Sequence, residues 1–162
     1  MSHAGAPGST IMGRTPTRGA PMPTIEPAKS SSTLADTQVE EHINIRSVLA
    51  RIRAATTADQ MAPHIDKLTR ILPAHFAHEA DPGGVFDTVV SRDPTAARHI
   101  ERFLEQHAGF LRDLDALREA VESASDDLIA RAESFCARLA RHEAEENDVL
   151  FDALYVDTGD SD

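Results

Sequence analysis

Residues 128–151 read LIARAESFCARLARHEAEENDVLF, and the placement of their apolar and ionisable side chains decides the fold. Leu128, Ala132, Phe135 and Leu139 recur at alternating intervals of four and three, the spacing of one helical face turned toward a core. Continued in the same register, the stripe meets His142 and Glu146 before returning to Val149. The segment reads as a helix from near Ser125 to about Ala153. An imidazole and a carboxylate lie one turn apart on its inward face.

Three earlier segments repeat this design. The first, from about Thr33 to Ala55, carries Ile45, Leu49 and Ile52, and one step back in register gives His42. The second starts between Thr57 and Pro63 and stops before Asp81-Pro82-Gly83-Gly84, a strong helix terminator. Its stripe of Met61, Ile65, Leu68 and Leu72 runs on to His75 and Glu79. Pro73 lies inside it and is expected to bend it or free a backbone carbonyl. The third opens at Asp93-Pro94, an acidic N-cap followed by proline at the first helical position. Its stripe places His107 between Phe103 and Phe110 and continues through Leu114, Leu117 and Val121.

Four long amphipathic helices with short connections predict an all-α, antiparallel up-down-up-down four-helix bundle over residues 33–157. In the longer connection, Val85, Phe86, Val89 and Val90 are positioned to fold against one end. Residues 1–32 have a different composition. Pro7, Pro16, Pro21, Pro23 and Pro27 alternate there with glycines, serines and threonines, so this stretch reads as a flexible N-terminal arm.

Composition supports the helical reading. Aromatic residues are only 4 % of the chain, which lacks tryptophan, while helix-favouring Ala, Leu, Arg and Glu are abundant. The net charge of −11 argues against nucleic acid or anionic lipid as partners. The arm carries Arg14, Arg18 and Lys29 against Glu26, so the acidity belongs to the rest of the chain. A single cysteine, Cys136, rules out an intrachain disulfide and a cysteine-based zinc cluster. With no long apolar run for a membrane span and no secretory signal pattern, the expected location is cytoplasmic.

The six inward polar residues carry the chemistry. A lone histidine on a core face is usually a hydrogen-bonded core or boundary residue. Six ionisable groups continuing four separate stripes need a stronger explanation, because burying unpaired charge costs several kcal/mol per group. In an antiparallel bundle their depths bring them to one layer, loosely so for His42. A cation among neutral imidazoles and carboxylates resolves the conflict. Two carboxylates from different helices can each bridge two metals, with histidines on the outer sides. Imidazole and carboxylate suit iron, manganese or zinc. Glu41, Glu143 and Glu145 flank these positions as candidate supporting partners. His3, His64, His78 and His99 fall outside the register.

Glu41-His42, the HFAHE of residues 75–79, the EQH of 105–107 and the HEAEENDVLF of 142–151 together resemble the hemerythrin-like, or HHE cation-binding, family. The resemblance spans roughly residues 33–155. It implies a bundle with a non-haem di-iron centre, its two iron ions bridged by oxo or hydroxo. It would place His42 and His75 on one iron, His107 and His142 on the other, and Glu79 and Glu146 across both. Oxygen-carrying relatives have a further histidine where this chain has Phe103, and His-x4-Asp where it has His142-x3-Glu146. The resulting four-His, two-Glu set is that of the family's iron- and oxygen-responsive members. The resemblance thus implies a protein responding to iron, dioxygen or another small diatomic ligand. The alternative is a di-iron enzyme acting on peroxide or nitric oxide.

Overall fold

In the computed structural model the described residues are 31–155. They form helices α1 (Ser31–Ala54), α2 (Ala58–Ala80), α3 (Val85–Arg92), α4 (Ala97–Glu122) and α5 (Leu128–Tyr155). The expected arm lies outside the described residues except for Ser31 and Ser32, which α1 takes in. Among the described residues, no helix is long and apolar enough to cross a membrane.

Local chemistry sets the boundaries. Thr57 caps α2, its side chain accepting from the Gln60 amide at 3.3 Å. The helix then runs through both Pro63 and Pro73 to Ala80. Packing of its apolar face offsets the two backbone hydrogen bonds that proline cannot donate. The chain turns at Gly83, whose φ of 76° suits a residue without Cβ. A Cβ on Gly84 would stand 2.7 Å from the carbonyl oxygens of His78 and Asp81, so the chain comes closest to α2 there.

The third long helix starts slightly later than the sequence suggests. Asp93 does cap, accepting from the Thr95 amide at 2.9 Å, but it caps a 3-10 turn over Pro94–Ala96 that precedes α4. A tight turn is a common way to lead into an α-helix after proline. At the far end of α4, Ala124 adopts a left-handed φ of 48°, and the Ser125 amide donates back to the Ala120 carbonyl at 2.9 Å. That reversal uses up Ser125, so α5 begins at Leu128 rather than at Ser125.

Helix directions follow from paired contacts. Lys67 meets Asn44 while His75 meets Glu41, so α1 and α2 are antiparallel. Arg46 pairs with Glu143 and His42 with Asn147, which makes α1 and α5 antiparallel. Asp113 pairs with Arg138 and Arg102 with Glu145, and the same holds for α4 and α5. The four long helices therefore close an antiparallel bundle, with α1 diagonal to α4 and α2 to α5.

Two apolar cores fill it. The larger packs Ile45, Leu49, Ile52, Leu68, Leu72, Leu114, Phe135 and Leu139, among others, between the four long helices. The smaller lies toward α3 and comprises Val85, Phe86, Val89, Ala96, Ile100, Phe103 and Leu150. Between Phe103 and Phe110 of α4, and between Leu139 and Leu150 of α5, the chain crosses from one core to the other through polar residues. Those residues make the site.

Candidate metal centre

Each of the four long helices delivers side chains to this layer. His42 comes from α1, His75 and Glu79 from α2, His107 from α4, and His142 and Glu146 from α5, and none is more than 5 % exposed. All six expected residues are thus brought together. Donor atoms of His42, His75, Glu79 and Glu146 lie within 4.8 Å of one another, and those of His107, His142 and Glu146 form a second such group.

The carboxylates point both ways. Glu79 presents Oε1 to His75 Nε2 at 2.9 Å and to His42 Nε2 at 3.8 Å, and Oε2 to His107 Nε2 at 3.5 Å. Glu146 presents Oε2 to His142 Nε2 at 3.6 Å, while its Oε1 accepts from Gln38 at 2.7 Å. The Nε2 atoms of His107 and His142 converge to 3.0 Å. The layer therefore has two halves, one around His42 and His75 and one around His107 and His142, with both glutamates spanning them.

Outer partners aim three of the imidazoles. His75 Nδ1 donates to Glu41 Oε2 at 2.9 Å, His142 Nδ1 to Gln106 Oε1 at 2.7 Å, and His42 Nδ1 to Asn147 Oδ1 at 3.2 Å. A proton held on Nδ1 leaves Nε2 with its lone pair facing inward, the tautomer that binds a metal. His107 differs: its Nδ1 has no hydrogen-bond partner, and its ring is fixed by stacking on Phe76 at 3.7 Å between centroids.

Electrostatics favour a cation here. Burial lowers the basicity of His107 and His142, to pKa values of about 3 and about 4, so both stay neutral. Burial opposes protonation of His75 as well, but Glu79 and Glu41 outweigh it and raise its pKa. Burial opposes ionisation of Glu79, but the facing His42 and His75 outweigh it and hold its carboxyl well below the usual carboxylate range. Burial, followed by the charge of Glu79, drives Glu146 the other way, well above that range. Two carboxylates in one dry layer cannot both ionise without a counter-charge. Buried donor atoms without hydrogen bonds include His75 Nε2, Glu79 Oε2 and Glu146 Oε2, all pointing into the layer. Hard oxygen and imidazole nitrogen with inward lone pairs fit a divalent transition metal.

The flanking residues divide. Glu41 sits 24 % exposed between His75 and the outer His78, as a supporting partner. Glu143 is buried beside Arg46, and Glu145 lies at the surface against Arg102. His64 and His99 contribute nothing to the layer, and His78 reaches it only through Glu41. Cys136 lies in the larger apolar core, where burial raises its thiol pKa to about 11.

Three contributors escaped the sequence reading. Gln106 and Asn147 adjoin ligand positions but lie off the inward stripe, so only tertiary contact reveals them. Gln38 had a usable signal: it is four residues before His42, the next position of the same stripe. It is 6 % exposed, and its Nε2 contacts His42 Nε2 and donates to Glu79 Oε1 and Glu146 Oε1.

No curated protein and no solved structure matches the chain. The family model described as the hemerythrin HHE cation binding domain matches residues 33–154, from the start of the bundle to the last turn of α5. With that match over most of its length, and with a buried His/Glu cluster at the centre of a helical bundle, the chain belongs to the hemerythrin HHE cation-binding domain family.

Proposed function

We propose that His42, His75, Glu79, His107, His142 and Glu146 hold two iron ions, and that the iron-loaded domain, residues 33–157, responds to iron, dioxygen or a related diatomic such as nitric oxide. The observation that carries this reading is the two-way orientation of Glu79 and Glu146. Each carboxylate offers one oxygen to each half of the layer, as a bridging ligand must. Iron bound there would supply a Lewis-acidic, one-electron redox centre.

The protein's own groups restrict what can reach it. Phe76, Phe86, Phe103 and Phe110 pack around the His107 and His142 rings, and a small cleft lined by Gln106, Arg141 and Glu145 reaches His142 from the surface. Glu41, Asn147 and Gln106 hold three imidazoles in the binding tautomer. Six residues at most 5 % exposed, reached by a cleft of only about 200 Å³, suit a diatomic molecule better than an organic substrate.

Rapid mixing of anaerobically iron(II)-loaded protein with dioxygen tests the proposal. A single absorbance change, complete at one equivalent per chain, is expected. Continued consumption in the presence of a reductant would favour the enzymatic alternative. Absence of any change in protein that demonstrably holds iron would contradict both.

A further inference from the structure

The two halves of the layer are unequal, and Gln38 makes the difference. Its head group contacts Oε1 of Glu79, Oε1 of Glu146 and Nε2 of His42. Those three atoms, with His75 Nε2, are the ones that face the His42 half. On the His107 half the nearest amide, Gln106, meets His142 through the outer Nδ1 rather than the inward Nε2. One turn before His107 stands Phe103, fully buried and packed edge-on to His142.

We infer that Gln38 is a seventh ligand of the centre, donating its amide oxygen to the ion held by His42 and His75. This rests on the di-iron reading above. The inference follows from what the amide touches. Two carboxylate oxygens and an imidazole lone pair attract positive charge, and the amide presents its N–H edge to them. A divalent ion in the same half competes for those three atoms and repels that edge. The nitrogen and oxygen of a terminal amide occupy nearly the same shape, so a half-turn of the head brings a hard oxygen to the ion without moving α1. Retreat to solvent is closed to a side chain that is 6 % exposed.

A consequence for reactivity follows. With Gln38 bound, the ion of the His42 half has five protein donors: His42, His75, Glu79, Glu146 and Gln38. The ion of the His107 half has four: His107, His142, Glu79 and Glu146. The second ion keeps one more open position, and small ligands are directed to the Phe103-lined side of the layer.

Gln38→Ala tests this with iron(II) and nitric oxide as probes, on the full chain under anaerobic conditions. One of the two iron ions is expected to bind about 10- to 100-fold more weakly, the range seen when a group supporting a metal site is removed. At saturating iron, nitric oxide uptake should rise by one equivalent per chain over wild type. If either iron affinity or nitric oxide uptake stays at the wild-type value, the inference is wrong. Circular dichroism checks that the variant folds. Should Gln38→Ala not fold, Gln38→Met keeps the length and packing of the side chain and is read in the same two ways. Wild-type protein that fails to take up two iron ions overturns the di-iron reading instead, so the two failures are distinguishable.

Discussion

Leu72 and His75 are neighbours on one face of α2, yet they belong to regions held together differently. Around Leu72 the bundle is dry and apolar, filled by Leu68, Phe135, Leu139 and their neighbours, and its stability comes from surface removed from water. Around His75 the same helices bury three further imidazoles, two carboxylates and an amide, and charge rather than area decides what is stable. The first region should fold by itself. The second, on the proposed reading, is completed by a cation that balances Glu79 and Glu146. An uninterrupted helix can thus serve both, with one turn as the boundary.

The largest expected effect separates the regions outright. Glu146→Ala removes one of the two carboxylates that span both halves, so iron content should fall below one ion per chain while the helices persist, since alanine favours helix. Glu145→Ala, at the exposed surface beside Arg102, should keep the full complement. Parallel elemental analysis and circular dichroism check both. The opposite pattern would mean that the inward register of α5 is misassigned.

A matched change in the apolar region should do the reverse. Phe135→Ala is expected to cost about 3–5 kcal/mol of stability through lost burial and a cavity. Iron stoichiometry in the folded fraction should not change. Denaturant titration alongside metal analysis reads both quantities, and loss of iron at full folding would show that the two regions are coupled.

Removing the metal should act on stability through the polar layer alone. A ligand bound only by the folded state and present at 100 times its Kd contributes about 2.7 kcal/mol. Chelation is therefore expected to lower the melting temperature of the wild type. It should have little effect on Glu146→Ala, which has no metal pair to lose. Equal melting of loaded and stripped wild type would contradict this.

The smallest effect lies at the far end of the apolar region. Ala124 holds a left-handed φ of 48°, a conformation that costs an L-residue with a Cβ roughly 1–2 kcal/mol. Ala124→Gly should relieve part of that, raising stability by up to about 1 kcal/mol after the entropy of glycine in the unfolded chain is deducted. Thermal melting checks it, and iron content should be identical.

The same contrast explains what the sequence made legible. Apolar periodicity exposed the four long helices, because every inward position had to be greasy. It exposed His42, His75, Glu79, His107, His142 and Glu146 for the converse reason, as breaks in those stripes. The partners Gln106 and Asn147 obey no such period, since they act sideways across helix boundaries, at α4–α5 and α1–α5. Gln38 does obey it, but a neutral amide in a core stripe raises no charge conflict and so does not stand out from the pattern. The precise starts of α4 and α5 depend on a 3-10 turn and a left-handed alanine, which propensities describe poorly.

The central claim is that one buried layer holds a pair of metal ions between two bridging glutamates. Anaerobic titration of stripped wild-type protein with iron(II), followed by removal of loosely held metal and elemental analysis, addresses it most directly. Saturation at two tightly held ions per chain is the result the account predicts. Saturation at one ion, or retention of none, would contradict it.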